Sequence, residues 1–407
     1  MITSKRILAL ILAGGKGNRL FPLTAERSKP AVPFGGRYRI VDFVLSNMIN
    51  SQIFSIYLLV QYKSQSLIEH VRKNWELSSV VPEHFITVVP PQMRRGSDWF
   101  QGTADAVSQN LNLVQTHRPD LVVIFGADHI YRMDLRQMID FHISKNAHIT
   151  VAARPVPIDE GKSFGIISTE PDGQIKEFLE KPDTPPPMPS DPTRTYASMG
   201  NYIFNADILI KALADAQSKH QHDFGSYVLP SLVSSKKLYA YDFSRNKIPG
   251  LRPTEEMDYW RDVGTIKAYW QAHKDMLGDH PVLDLDNQHW PIRPSRHNRP
   301  AAKILGGRIT NSTIAEGSVI HPNTVVTNST IRRGVIIEEG ATVEDSVIMD
   351  YVVIRKGAKL RRTIIDRNNI VSEGLQIGQG VQTKESWEAC YDPSGIAILP
   401  KRAWRKP

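Results

Sequence analysis

The C-terminal part of the chain repeats itself at a constant interval of 17 residues. The tetrad Asn-Ser-Thr-Ile at 311–314 returns in similar form at 328–331, 345–348 and 362–365. A second series with the same interval is Asn323, Gly340, Gly357 and Gly374. Apolar residues return about every six positions, and we expect these side chains to point inwards: Val319, Val325, Ile331, Ile337 and Val343. Near-hexapeptide repeats of this kind predict a parallel β-helix, whose coils bury their apolar faces against one another.

Residues 7 to 280 follow a different pattern, in which short apolar runs alternate with amphipathic segments. Besides the first run, four runs predict buried strands because they are short and rich in branched or aromatic residues: 56–60, 85–89, 121–125 and 148–153. We expect Thr103 to cap one helix that carries Ala104, Val107, Leu111 and Val114 on a single face. This alternation predicts an α/β domain with a mostly parallel sheet and a ligand site at the carboxyl ends of its strands.

The two patterns meet in a proline-rich segment that has little periodicity. We therefore expect four parts in the chain. They are an N-terminal α/β domain at 1–280, a linker at 281–303, a β-helix at 304–380 and a C-terminal tail at 381–407.

Composition and charge narrow the classes of protein to consider. Hydrophobic residues make up 41% and charged residues 23% of the 407 residues, as is typical of a globular protein. The net charge of +8 favours anionic partners, but the basic residues form no arginine-rich run, so no nucleic-acid partner is expected. No apolar stretch approaches the roughly 18 to 20 residues that span a bilayer, so we expect no membrane partner. The single cysteine, Cys390, favours a cytoplasmic location.

The first apolar run, 7–13, could belong to a signal peptide because basic residues precede it. We favour a buried parallel strand, since the run passes directly into a glycine-rich turn at 14–17. The backbone N–H groups of such a turn can approach a phosphate closely, and Lys16 and Arg19 add positive charge. Two better-known loops are excluded, because the P-loop pattern is absent and Leu20 stands where the dinucleotide fingerprint needs a glycine.

The segment after the turn, 21–33, reads Phe-Pro-Leu-Thr-Ala-Glu-Arg-Ser-Lys-Pro-Ala-Val-Pro. The turn and this segment together resemble the signature of sugar-1-phosphate nucleotidyltransferases. Further motifs narrow the resemblance to the glucose-1-phosphate adenylyltransferases. They follow in order and spacing at Phe34–Phe43, Leu45–Asn47, Gln61–Tyr62, Gly102–Val107, Gly126–Tyr131, Phe178–Pro182, Ala197–Gly200 and Tyr259–Thr265. The resemblance implies a dinucleotide-fold-like nucleotidyltransferase domain, a left-handed β-helix behind it, and typically a homotetramer under allosteric control.

This resemblance also implies an activity. The adenylyl group of ATP is transferred to α-D-glucose 1-phosphate, which gives ADP-glucose and pyrophosphate for the synthesis of glycogen or another α-glucan. The sugar phosphate attacks the α-phosphorus of ATP in line, so no enzyme nucleophile is required and charge neutralisation does most of the work. The implied catalytic residues are Arg19, Lys29 and Asp128, and Asp128 and Asp262 are implied to hold Mg²⁺.

The binding residues are carried over from the same resemblance. Those implied for ATP are Leu12, Ala13, Gly14, Gly15, Gln92, Gly102 and Thr103. Those implied for glucose 1-phosphate are Tyr131, Gly165, Glu180, Lys181, Ser198, Asp223 and Trp260, with Lys181 on the phosphate. Ordinary alternatives exist, since Asp128 could be a turn residue, Lys181 a solvated lysine and Trp260 a core aromatic. His129 is expected to be a structural partner, because an ionised phosphate needs no general base.

Two other functions stay open at this point. The chain could use another nucleotide or sugar, as in the synthesis of GDP-mannose or UDP-glucose. It could also be a non-catalytic regulatory subunit, although such subunits tend to lose charged site residues that are all present here.

Control by an anionic metabolite is a further expectation. We expect the effector to bridge the two domains. Arg37 and Arg39 lie just beyond the segment expected to bind phosphate, and four arginines are expected to project from the β-helix coils: Arg332, Arg333, Arg361 and Arg362. The alternative is ordinary solvated charge, which is the default for arginines on a surface.

Overall fold

The computed structural model describes residues 5–77, 81–92, 99–296, 298–378 and 390–401, which form an α/β domain followed by a β-helix. The helices in these ranges are α1 (Val41–Asn50), α2 (Gln65–Asn74), α3 (Thr103–Ser108), α4 (Leu111–His117), α5 (Leu135–Ser144), α6 (Ala206–Ser218), α7 (Leu229–Leu232) and α8 (Ile266–Lys274). The strands of the α/β domain are β1 (Ile7–Ala13), β2 (Pro33–Phe34), β3 (Tyr38–Arg39), β4 (Ser55–Val60), β5 (Phe85–Val89), β6 (Leu121–Gly126), β7 (His129–Tyr131), β8 (Ile149–Pro157), β9 (Gly165–Thr169), β10 (Ile175–Glu180), β11 (Arg194–Asn205), β12 (Leu238–Asp242) and β13 (Trp260–Asp262). None of the helices in the described ranges combines the length and the apolar content that crossing a lipid bilayer demands.

A mixed sheet, nine-stranded over the described residues, forms the centre of the α/β domain. Its main order is β10-β9-β11-β6-β1-β4-β5, with β8 beside β11 and β12 beside β8. Strands β6, β1, β4 and β5 run parallel, whereas β11 is antiparallel to β6, β8 and β9. The predicted parallel arrangement therefore holds for the half of the sheet that carries the glycine-rich turn, and the half around β11 is mixed.

The first strand is buried on both of its faces. Ala9 and Ile11 belong to one apolar core, and Leu8 and Leu10 belong to the core on the opposite side of the sheet. A strand covered on both faces has a continuous apolar sequence, which explains why residues 7–13 look like part of a signal peptide. The strand interpretation is confirmed.

The predicted helix after Gly102 is wrong in two details. Gly102 is the N-cap, and the hydroxyl of Thr103 donates to Asp223 Oδ2 at 2.9 Å instead of capping the helix. The helix is also divided into α3 and α4, because the side chain of Asn110 donates to the carbonyl of Ala106 at the break. Asparagine favours such local bonds over a continuous helix.

The β-helix has three sheets whose stacked coils run parallel. Its strands are β14 (Lys303–Ile304), β15 (Arg308–Thr310), β16 (Thr313–Ile314), β17 (Val319–Ile320), β18 (Val325–Thr327), β19 (Thr330–Ile331), β20 (Ile336–Ile337), β21 (Thr342–Glu344), β22 (Val347–Ile348), β23 (Val353–Ile354), β24 (Lys359–Arg361), β25 (Thr363–Ile365), β26 (Ile370–Val371), β27 (Gln376–Ile377), β28 (Cys390–Tyr391) and β29 (Ala397–Leu399). In the second sheet Arg308 pairs with Val325, Val325 with Thr342, and Thr342 with Lys359. The 17-residue interval therefore sets the register between coils.

The inward side chains differ from the predicted set at two positions. Ile320 and Val326 are fully buried, whereas the predicted Val319 and Val325 are only half-buried. The reason is that a coil of 17 residues cannot hold three equal steps of six, so its inward positions advance by six, five and six. The inward positions are 320, 326, 331, 337, 343, 348, 354, 360 and 365.

The corners between strands use left-handed backbone. Three series at the coil interval have φ between 45° and 71°: residues 311, 328, 345 and 362; residues 317, 334, 351 and 368; and residues 323, 340, 357 and 374. Glycine and asparagine adopt this conformation at low cost, which explains why they recur there. Tyr351 and Arg362 are the bulky exceptions.

The predicted linker and tail both pack against the domains that they were expected to flank. Leu283, Trp290 and Ile292 of the linker are buried. Part of the predicted tail belongs to the β-helix, because β29 pairs in parallel with β25 and β28 pairs with β29. The sequence analysis misses these strands because β29 follows its partner β25 by 34 residues, two coil intervals instead of one.

The expectation that Arg332 projects from the coils is wrong. Its side chain is 3% exposed, and Nε donates to Asp350 Oδ1 at 2.8 Å. Its Nη1 donates to three carbonyls of the α/β domain, those of Phe34, Gly35 and Tyr38, at 2.5 to 3.1 Å. Arg332 therefore joins the two domains.

Candidate active site

A cavity of about 610 Å³ opens at the carboxyl ends of β1 and β6, bordered by the glycine-rich turn. Six of the seven residues predicted to bind ATP line it: Leu12, Ala13, Gly14, Gly15, Gly102 and Thr103. The seventh, Gln92, does not line it, and its exposed side chain donates to the carbonyl of Pro90. Arg19, Lys29 and Asp128 lie in the same wall.

The charged residues predicted for catalysis meet in one cluster. Lys29 Nζ lies 3.2 Å from Asp128 Oδ2 and 2.7 Å from Asp262 Oδ1. Arg19 Nη2 lies 3.6 Å from Asp262 Oδ2, with most of its side chain exposed. His129 Nδ1 lies 3.6 Å from Asp128 Oδ1. The cluster thus combines two carboxylates and two cations at the edge of the cavity.

Two short strands bring the carboxylates together. Asp128 lies two residues after the last residue of β6, Gly126, and β7 begins at the next residue. Strand β13 pairs antiparallel with β7 and sets Asp262 opposite His129. The ring of His129 stacks on Trp260 with centroids 4.7 Å apart. Gly264 permits this arrangement, because a Cβ at that position would lie 2.9 Å from Asp262 Oδ1.

Mutual attraction keeps Asp128 and Lys29 ionised. Burial alone would raise the pKa of Asp128, but His129 and Lys29 hold this pKa well below its usual value. Burial lowers the pKa of Lys29, and the charges of Asp128 and Asp262 raise it above its ordinary value. At neutral pH the lysine is therefore an ammonium between two carboxylates.

The residues predicted for the sugar phosphate form a neighbouring group. Glu180 pairs with Gly165 in the sheet, and Lys181 Nζ donates to Glu180 Oε1 at 2.6 Å. A Cβ on Gly225 would lie 3.3 Å from Glu180 Oε2 and 3.5 Å from Asp223 Oδ1. Ser198 Oγ accepts a hydrogen bond from the backbone N–H of Gly200, and Gly200 lines the cavity.

Two residues predicted for the sugar are buried. Tyr131 is fully buried and its hydroxyl accepts from Asn201 at 3.3 Å, so it does not line the cavity. Trp260 is 6% exposed, and its Nε1 finds no partner among the described residues. Tyr202 was not predicted, although it lines the cavity. Only the alternation along β11 hints at it in the sequence.

The cluster suits a hard divalent cation. One ligand atom each of Asp128, His129 and Asp262 lies within 4.8 Å of the others. His129 Nδ1 is buried and makes no hydrogen bond within the described part of the chain. Carboxylate oxygens are the protein donors that Mg²⁺ typically takes.

Comparison with known proteins connects this geometry to a family. A nucleotidyl transferase model matches residues 8–278, and a GlmU-like C-terminal hexapeptide model matches residues 298–399. A curated glucose-1-phosphate adenylyltransferase of Thermodesulfovibrio yellowstonii is 60% identical over 399 residues, which cover 98% of this chain and 97% of that protein. The chain belongs to the glucose-1-phosphate adenylyltransferases. The predicted family and the nucleotidyltransferase class are thereby confirmed.

Two more glucose-1-phosphate adenylyltransferases match most of the chain. The protein of Anaeromyxobacter dehalogenans is 49% identical over 326 residues, 77% of this chain and 78% of that protein. The protein of Mycolicibacterium smegmatis is 48% identical over 322 residues, 78% of this chain and 79% of that protein. The hexapeptide match identifies the C-terminal domain as the left-handed β-helix that the resemblance implied.

Proposed function

We propose that the chain transfers the adenylyl group of ATP to α-D-glucose 1-phosphate, releasing pyrophosphate and giving ADP-glucose for glycogen or a related α-glucan. The observation that carries the proposal is the Lys29 ammonium between Asp128 and Asp262, in the wall of a cavity bordered by the glycine-rich turn. The names of the relatives support the choice of substrates.

The residues of the cluster would act by position and charge. Arg19 and Lys29 would offset the negative charge that builds on the departing β- and γ-phosphates. Each charge-assisted hydrogen bond contributes roughly 1.5 to 3 kcal/mol. Asp128 and Asp262 would hold Mg²⁺, which when bound neutralises phosphate oxygens. No side chain has to form a covalent bond, because the attacking oxygen belongs to the sugar phosphate.

The reaction is tested by measuring pyrophosphate release from the purified protein with each nucleoside triphosphate and each sugar 1-phosphate in turn. We expect ATP with glucose 1-phosphate to give the fastest release. A faster rate with GTP or UTP would identify a different nucleotide sugar as the product. Equal background rates with every pair would favour a regulatory subunit without catalysis.

Lys181 is proposed to bind the phosphate of glucose 1-phosphate. Its side chain is 61% exposed, and it forms an ion pair with Glu180, another residue predicted to bind the sugar phosphate. Because it would bind the ground state, Lys181→Ala should raise the KM for glucose 1-phosphate about 10- to 100-fold and leave kcat less affected.

Lys176→Ala is the matched control, since Lys176 lies on β10, the strand that Lys181 directly follows, is 54% exposed and pairs with Glu170. It should leave the KM unchanged. An unchanged KM together with a collapsed kcat in Lys181→Ala would move this lysine to another role.

We also propose that an anionic metabolite controls the enzyme from the junction of the two domains. Positive charge is in excess there. Among the residues that the structure describes there, five arginines meet three aspartates: Arg27, Arg39, Arg332, Arg333 and Arg367, with Asp42, Asp350 and Asp366. Nitrogens of Arg27, Arg333 and Arg367 are buried without partners among the described residues. Burial and the nearby Arg367 lower the pKa of Arg39 to about 9, which an anion would reverse.

The other predicted effector residues have local partners. Arg37 is 44% exposed and lies 3.4 Å from Glu316 of the β-helix, so it is at the junction. Arg361 faces Glu344 at 3.9 Å, and Arg362 lies over the ring of Trp270. The local contacts therefore favour Arg27, Arg39 and Arg367 over Arg361 and Arg362 as residues that bind an effector.

The effector proposal is tested by titrating the activity with sugar bisphosphates, 3-phosphoglycerate, AMP and inorganic phosphate. We expect at least one to change the rate, and Arg367→Ala to raise its half-saturating concentration about 5- to 150-fold. Arg355→Ala, an exposed coil arginine, should respond like wild type. Identical responses in wild type and Arg367→Ala would remove Arg367 from the site, and higher ionic strength should weaken a real effect.

A homotetramer and a cytoplasmic location remain predictions. The exposed Ile304 and Leu305 of the first coil are compatible with contacts between copies. Light scattering of the purified protein would give the number of copies.

A further inference from the structure

We propose that Lys29 closes the divalent-cation site of the free protein, so that the ion binds well only after a polyphosphate has drawn the lysine away. The inference rests on the proposed function, because it concerns the same two carboxylates. It gives Lys29 a role beyond the neutralisation of phosphate charge, since the lysine would decide when the cation can bind.

The first argument is that the carboxylates already have counter-charges. The Lys29 ammonium contacts both, at 3.2 Å from Asp128 and 2.7 Å from Asp262. Arg19 adds a second positive charge 3.6 Å from Asp262. Two negative and two positive charges leave little net attraction for a divalent ion, and the ammonium repels it at short range.

The second argument is that Lys29 cannot turn away into bulk water. Its side chain is 7% exposed, and Ser28 and Ala31 beside it are fully buried. The segment is a short 3₁₀ turn stiffened by Pro30. Arg27, two residues earlier, is fixed to Asp366 of the β-helix at 2.6 Å. The backbone that carries the lysine is therefore held from both sides.

The third argument is that the lysine can move towards the cavity. Lys29 lines the cavity together with the glycine-rich turn, where we place the phosphates. A polyphosphate there offers oxygens to the ammonium and at the same time attracts a cation. Both effects release the two carboxylates, so polyphosphate and cation should bind cooperatively, with Lys29 as the group that couples them.

The proposal predicts that removing a catalytic lysine strengthens binding of a metal ion. Free Mn²⁺, measured by electron paramagnetic resonance without nucleotide, should bind Lys29→Met at least about tenfold more tightly than wild type. Lys29→Arg keeps the charge and should stay close to wild type. Lys274→Met is the matched control, because Lys274 is also a shielded lysine paired with a carboxylate, Asp345 at 2.8 Å.

A second measurement tests the coupling itself. Calorimetry gives the affinity for α,β-methylene-ATP with and without Mn²⁺, and the ratio of the two affinities should be smaller in Lys29→Met than in wild type. Lys29→Gln replaces Lys29→Met if circular dichroism shows that the latter is unfolded. Equal or weaker Mn²⁺ binding by the folded neutral variant would overturn the proposal.

A failure of the proposed metal site can be distinguished from a failure of the role proposed for Lys29. If Asp128→Asn fails to weaken Mn²⁺ binding in the Lys29→Met background, the carboxylates are not the cation site, and both the metal assignment and this inference fail. If Asp128→Asn weakens it while Lys29→Met binds no better than wild type, only the role of Lys29 is lost.

Discussion

Asp128→Asn should lower kcat for pyrophosphate release about 100- to 1,000-fold or more, while the KM for ATP changes little. The substitution keeps the size of the side chain and removes its charge. Lys29 and the proposed cation would then face only Asp262. The lost interaction acts on charge that develops in the transition state, so it lowers kcat rather than ground-state binding.

The control is Asp172→Asn, an aspartate that is half-exposed on the loop between β9 and β10. It should retain the wild-type rate. A loss of tenfold or less in Asp128→Asn would show that the carboxylate is not at the reacting centre, and a large rise in KM alone would make it a binding residue.

Arg332→Met should destabilise the protein by about 3 to 5 kcal/mol, because it breaks a buried ion pair from one side. Asp350, 2% exposed, would lose its closest cationic partner. The carbonyls of Phe34, Gly35 and Tyr38 would lose a shared donor. Since Arg332 joins the domains, we also expect faster proteolysis at their junction.

Arg355→Met is the matched control on the same β-helix. Arg355 pairs with Glu338 at 2.5 Å, but it is 49% exposed, and such pairs contribute about 0.2 to 1 kcal/mol. Thermal unfolding followed by calorimetry compares the two variants. Equal unfolding temperatures would mean that the buried pair contributes no more than the exposed one.

The order of elements could be predicted because it depends on local patterns. The bounds of the strand at 85–89 are predicted to the residue, although it is a partly exposed edge strand and not a buried one. The coil interval of 17 matches the pairing of the second sheet. A short apolar run and a constant repeat interval are both local signals that need no knowledge of distant contacts. The two wrong inward positions, Val319 and Val325, come from assuming equal steps within a coil.

The arrangement of the site residues depends on contacts between distant parts of the chain as well as on local sequence. Asp128 could be placed at a strand end from its neighbours alone, since it follows an apolar run. Its partner Asp262 lies more than 130 positions later, and only the pairing of β13 with β7 brings the two together. The motifs indicated which residues belong to the site, and the pairing of short strands decided their distances.

The sequence by itself determined a nucleotidyltransferase domain followed by a β-helix, because periodicity and contiguous motifs are visible in the order of residues along the chain. The tertiary structure alone decided that Arg332 is buried, that Tyr131 lies in the core, and that Arg27 is fixed to Asp366. Burial and ion pairing between residues hundreds of positions apart depend on how two domains dock. An arginine on a coil has the same local sequence whether it faces water or a neighbouring domain, so only the packed structure can distinguish the two.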